Sequence, residues 1–159
     1  MKLLGFLEEE AVVLEMQARS KEDAVRELLQ VTIKTGGLAA SHMESVYKQV
    51  MEREKRGTTG LGDGIAIPHV RECKEVQGLT GAFGRLPAKK GIKYDAVDGN
   101  PVHLIFLILG GEGTASEHVK ILKTLASVRQ NEHFLRFLRD AKDQVSVVDT
   151  IKEMAGSLA

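Results

Sequence analysis

The chain has 159 residues, 43% hydrophobic and 28% charged, which suits one globular domain spanning residues 1–159 with a single sizeable core. Lysine plus arginine and aspartate plus glutamate both number 22, and no basic stripe occurs, so nucleic acid is not an expected partner; local charged patches for docking a protein remain open. The one cysteine, Cys73, excludes an internal disulfide or a thiolate metal site and fits a reducing cytoplasm, the short apolar stretch before Glu8-Glu9-Glu10 is no signal peptide, and no run approaches the ~20 apolar residues that membrane insertion needs.

Val12–Met16 reads as a first strand. Ser20 sits where an N-cap belongs, with Asp23 three residues later, and opens a helix. Its apolar stripe runs through Ala24, Val25, Leu28 and Leu29 to Ile33, and Gly36-Gly37 stops it. Ser41 opens a second helix to about Arg53, since Met43, Val46, Tyr47 and Val50 recur at helical spacing. Gly57, Gly60, Gly62 and Gly64 call for turns and close backbone approach, after which Ile65–Ile67 is a short buried strand that Pro68 ends. Strands follow at Leu79–Leu86 and, briefly, Gly91–Tyr94, before a turn at Asp98–Pro101. Val102–Leu109 is the clearest strand, a nearly continuous apolar run of the kind buried on both faces. Beyond a glycine-rich loop, Thr114 or Ser116 caps a helix reaching Val128, Asn131 caps the next, and a last helix covers Val147–Met154. The expected fold class is α/β, a single layered domain with a central mixed sheet flanked by helices.

Histidine can serve as base, nucleophile, metal ligand or inert core residue, and the chain has five. His69 follows a short apolar strand and a proline, where rigid backbone can present a side chain at the end of a sheet; a solvated loop histidine is an equal reading of the pattern. His118 lies near a helix start, where unpaired backbone N–H groups attract anions, although taken alone the pattern favours an ordinary surface histidine beside Glu117. His103 reads as a hydrogen-bonded core or edge residue, and nothing is assigned to His42 or His133. Cys73 lies four residues after His69 but has no evident third group to orient a nucleophile pair, so it reads as a buried or idle thiol. HxxxH, HExxH and CxxC patterns are absent, as are GxxxxGK[ST] and GxGxxG, so no metal and no nucleotide cofactor is expected.

The run Arg53-Glu54-Lys55-Arg56-Gly57-Thr58-Thr59-Gly60-Leu61-Gly62-Asp63-Gly64-Ile65-Ala66-Ile67-Pro68-His69 resembles the active-site segment of the fructose- and mannitol-type enzyme IIA family, which includes nitrogen-regulatory members. The resemblance covers nearly the whole chain. It implies that His69 receives a phosphoryl group, that Arg53, sixteen residues earlier, is an active-site arginine, and that His118, in Glu117-His118-Val119, is the family's second histidine. Three features depart from the pattern: Val70 stands where a small residue is common, His103 interrupts the strand that often reads Val-Asp-Leu, and the loop Gly110–Thr114 is unusually rich in glycine.

The implied activity is that of a phosphotransferase. An HPr-type phosphocarrier donates to His69, and His69 passes the group to an enzyme IIB. Alternatively, a standalone nitrogen-type regulator controls a target protein by its phosphorylation state. Such a relay needs in-line approach and stabilisation of charge on the phosphoryl oxygens, which Arg53 and His118 can supply. The second nitrogen of His69 is expected to be held by a backbone carbonyl or by His118.

Overall fold

In the computed structural model, which describes residues 4–87 and 89–158 with side chains to Gly156, the elements follow in the order β1 (Val12–Val13), α1 (Lys21–Lys34), α2 (Met43–Lys55), β2 (Gly60–Gly62), β3 (Ile65–Ala66), β4 (His69–Val70), β5 (Leu79–Arg85), β6 (Leu104–Gly110), α3 (Ala115–Val128), α4 (Glu132–Asp140) and α5 (Gln144–Leu158). Short 3-10 turns precede β1 at Glu9–Ala11 and α2 at Ala40–His42. Every residue of β6 is buried, and its side chains alternate between two cores, one on each face of the sheet, where a single core was expected. Ile105, Leu107 and Leu109 face one, with Val25, Leu28 and Leu29 of α1 and Val46 and Val50 of α2. Leu104, Phe106 and Ile108 face the other, with residues of α3, α4 and α5. Burial on both faces is why this strand reads as a continuous apolar run.

The sheet is mixed, in the order β1-β5-β6-β3-β2, with β4 also beside β6. β5 runs antiparallel to β6 along its whole length, β1 is parallel to β5, and β2 is antiparallel to β3. β3 and β4 are both parallel to β6, and their register continues unchanged across Ile67–Pro68: Ile65 faces Leu104, Ala66 faces Ile105, His69 faces Ile108 and Val70 faces Leu109. They are two halves of one interrupted strand. Because side chains alternate along a strand, His69 falls on the α3 face of the sheet and Val70 packs into the core under α1 and α2.

Of the expected caps Ser20 and Asn131 form, whereas Thr114 makes no capping bond, its Oγ1 donating instead to the Gly111 carbonyl at 2.7 Å. Ser20 Oγ accepts from Asp23 N at 3.1 Å, and Asn131 Oδ1 accepts from His133 N and Phe134 N. Four expectations are corrected. Val12–Met16 is a strand only at Val12–Val13, and the strand expected from Val102 begins at Leu104. The second helix begins at Met43, because Ala40–His42 closes a tighter 3-10 turn first. Gly91–Tyr94 forms no strand: Ile92 makes one bridge to Val102, and Tyr94 turns inward to a polar cluster. Two strands that the sequence did not announce are β2 and β4, and β4 carries His69.

Candidate functional site

The chain folds so that three segments meet at one end of β6. The interrupted strand delivers His69. The loop after β6 leads straight into α3, placing His118 in the first turn of that helix. The last turn of α2 and the loop behind it bring Arg53, Arg56 and Thr58. Arg53, Arg56, Thr58, His69, Val70, Arg71 and Glu72 line a cleft of about 610 Å³; His118, fully buried, is not part of that lining.

His69 is 7% exposed, and its Nδ1 lies 2.7 Å from the carbonyl oxygen of Ile67. A carbonyl only accepts, so Nδ1 carries the proton and Nε2 keeps the lone pair. Burial lowers the basicity of the ring, and the charges of Arg53 and Arg71 lower it further, against the Ile67 hydrogen bond and the Glu54 carboxylate. The ring is therefore neutral and nucleophilic at neutral pH. His118 is fully buried, with its centroid 5.4 Å from that of His69 and the planes inclined at 54°. Neither of its ring nitrogens has a hydrogen-bond partner. Burial, then His69 and Arg71, push its pKa down to about 4. Gly110 makes room for it: a Cβ there would lie 2.7 Å from His118 Nδ1 and 2.9 Å from Thr114 Oγ1. Arg53 donates from Nη1 to the carbonyl of Gly57 at 2.9 Å, which holds its guanidinium across the end of α2. A neutral imidazole, a second imidazole beside it and three guanidinium groups form a place where an oxyanion can be held against a nitrogen nucleophile.

Residues 5–154 match the family described as the phosphoenolpyruvate-dependent sugar phosphotransferase system, EIIA 2. The chain belongs to this EIIA family. A fructose-specific EIIABC component of Bacillus subtilis (strain 168) is 31% identical over 96% of this chain, which spans only 23% of that longer protein. A nitrogen regulatory protein of Bradyrhizobium diazoefficiens is 30% identical over 95% of both chains. The crystal structure of nitrogen regulatory protein IIA-Ntr from Neisseria meningitidis superposes with a TM-score of 0.80 at 31% identity, covering 94% of this chain and 96% of that one. The Escherichia coli complex of enzyme IIA mannitol with phosphorylated enzyme IIB shares the fold, with a TM-score of 0.70 at 23% identity over 93% and 95% of the two chains.

In this EIIA chain the three residues singled out from sequence converge: His69 and His118 stand ring to ring, and Arg53 lines the same cleft as His69. Of the two partners considered for the second nitrogen of His69, the backbone carbonyl has it. His103 lies elsewhere, at the other end of β6, half-buried, with Nδ1 3.2 Å from the Pro87 carbonyl oxygen. Cys73 is buried in the α1–α2 core, where burial pushes its thiol pKa up. Val70 packs into that core while bordering the cleft. Sequence reasoning missed Arg56 and Arg71. Arg71 stands two residues past His69, a spacing that a strand reading through His69 would have placed on the same side. It also missed a buried carboxylate, Glu54, the immediate neighbour of Arg53. Among the described residues no helix is long and apolar enough to cross a membrane, and no three metal-ligating side chains come together.

Proposed function

We propose that this EIIA chain is a cytoplasmic phosphohistidine carrier that accepts a phosphoryl group on Nε2 of His69 from an HPr-type phosphocarrier and passes it to an enzyme IIB. The observation that carries this reading is the bond from His69 Nδ1–H to the Ile67 carbonyl, which leaves Nε2 as the basic nitrogen of a side chain lining an arginine cleft. In the step, the Nε2 lone pair attacks phosphorus, the N–P bond of the donor phosphohistidine breaks, and its electron pair returns to the donor ring. Nδ1 keeps its proton throughout. Arg53 and Arg71 offer fixed charge to the equatorial oxygens, and the neutral His118 supplies a ring N–H with no competing partner. Delivery to enzyme IIB is the reverse displacement, with a cysteine thiolate as the usual nucleophile implied by the family resemblance.

A second reading has its own support. The match to a nitrogen regulatory protein extends over 95% of both chains, so the same phosphorylation can serve as a switch that controls a target protein. The site chemistry is shared; the acceptor differs.

The test is incubation with phosphoenolpyruvate, enzyme I and HPr, followed by intact-mass analysis. The expected result is one acid-labile phosphoryl group that is lost in His69→Ala. A group retained in that variant moves the site to another residue. No gain in mass with active donors removes the carrier reading altogether. Adding enzyme IIB to the loaded protein then separates the two roles, since a transport component unloads onto it and a pure regulator does not.

A further inference from the structure

The Ile67 carbonyl oxygen, which can accept two hydrogen bonds, meets the His69 ring without the donor that its strand neighbour would ordinarily supply. Thr59 and Ile67 face each other where β2 and β3 run antiparallel, one step beyond the Gly60–Ala66 pair. In a hydrogen-bonded antiparallel pair, both residues donate to each other. Here only half of the exchange exists. Ile67 N donates to the Thr59 carbonyl at 3.0 Å. The Thr59 N–H instead donates to the Glu54 carboxylate, 3.2 Å from Oε1 and 3.3 Å from Oε2. The released Ile67 carbonyl then accepts from His69 Nδ1 at 2.7 Å.

Glu54 is built to hold that amide. Its side chain is 3% exposed and is fixed from three directions: Lys21 Nζ of α1 at 3.1 Å from Oε2, the Tyr94 hydroxyl at 2.9 Å from Oε1, and the Thr59 hydroxyl on the same oxygen. Lys21 also lies over the Tyr94 ring, 4.4 Å from its centroid. A buried charge so fully paired is costly to assemble, and the fold gains from it a fixed acceptor in front of Thr59.

We propose that Glu54 is a positioning residue for phosphoryl transfer: by drawing off the Thr59 N–H it removes a competing donor from the Ile67 carbonyl, which shortens and aligns the bond from His69 Nδ1–H and so favours the ring tautomer that leaves Nε2 as the nucleophile. The proposal rests on the carrier reading of His69. Its buried charge acts in the same sense, opposing the guanidinium groups that depress the basicity of His69.

Two substitutions separate position from charge. Glu54→Asp keeps the charge but withdraws the acceptor by about one C–C bond, so Thr59 N–H can fall back on Ile67. Glu54→Gln keeps the reach and loses the charge. The neutral tautomer of His69 is read by ¹⁵N NMR of the full chain above pH 7, and loading from phosphorylated HPr is timed in a single turnover. Wild type is expected to show Nδ1–H alone. The Asp variant is expected to show a second tautomer and a loading rate lower by roughly tenfold to a hundredfold, and Gln to keep one tautomer and stay within about threefold. An Nε2–H tautomer in the wild type overturns the proposal whether or not any variant folds. So does a folded Asp variant with wild-type tautomer and rate, or a Gln variant that keeps its tautomer yet slows as far as Asp. If wild type takes no phosphoryl group on His69, the carrier reading fails, and the tautomer results still judge the role of Glu54.

Discussion

His118 is an imidazole buried with neither nitrogen satisfied, an arrangement that a protein selected for stability alone does not keep. Such a group costs about 1–3 kcal/mol. His118→Leu, close in volume and apolar, is therefore expected to raise stability by about 1 kcal/mol in urea unfolding. The same variant should slow loading of His69 by roughly a hundredfold. A gain in stability without a loss in rate would take His118 out of the transfer. The titration has a definite sign. The folded pKa is about 4, below the ordinary value near 6.5, so between these pH values the unfolded chain binds the proton and the folded one does not. Stability must rise with pH across that window, by up to ~1.4 kcal/mol per pH unit for each such histidine, and level off above it. The depressed pKa of His69 adds to the slope in the same direction. His118→Leu should flatten the lower part of the curve.

The elements of the site depend on close fits at strand ends. Gly110 closes β6, and the space above it belongs to the His118 ring and the Thr114 hydroxyl. Gly110→Ala inserts a methyl group at 2.7 Å from His118 Nδ1, so the ring must move. The expected outcome is a folded protein, destabilised by about 1–3 kcal/mol in urea, with loading slowed roughly tenfold. A wild-type rate would mean that the ring position is not critical. What could be read in advance follows the same physics. β6 was legible because two buried faces leave no polar interruption, and Ser20 and Asn131 were legible because caps are local. β4 was not, since two residues have no period and the register that includes His69 is set by β6, far along the chain. Gly91–Tyr94 misled because Ile92 and Tyr94 are buried and Lys93 exposed, which is strand alternation, although Tyr94 is turned inward to serve Glu54. Pro68-His69, Arg53 and Glu117-His118 could be recognised as a pattern. The pairing of Glu54 with Lys21 and Tyr94 could not, because those partners are 33 and 40 residues away and only folding brings them together.

Taken whole, the protein has no formal net charge, yet its charges are not evenly spread. The cleft is lined by Arg53, Arg56 and Arg71 against one acid, Glu72. An excess of positive charge at one end requires an equal negative excess over the remainder. Attraction of an acidic partner face in the proposed relay would then speed encounter and weaken with salt. Arg56→Glu is expected to lower the second-order rate constant of loading by roughly tenfold at low ionic strength, and by much less near 1 M salt. A deficit independent of salt would assign Arg56 to the chemical step instead. The cleft also sets the timing of its own encounters. A phosphoryl group brings about two negative charges, which matches the local excess of positive charge. In the proposed relay the arginine-lined cleft would turn a positive face to the donor before transfer, and the arriving charge would cancel it. On that reading the attraction that gathers the donor is cancelled by the group it delivers, so release is built into arrival.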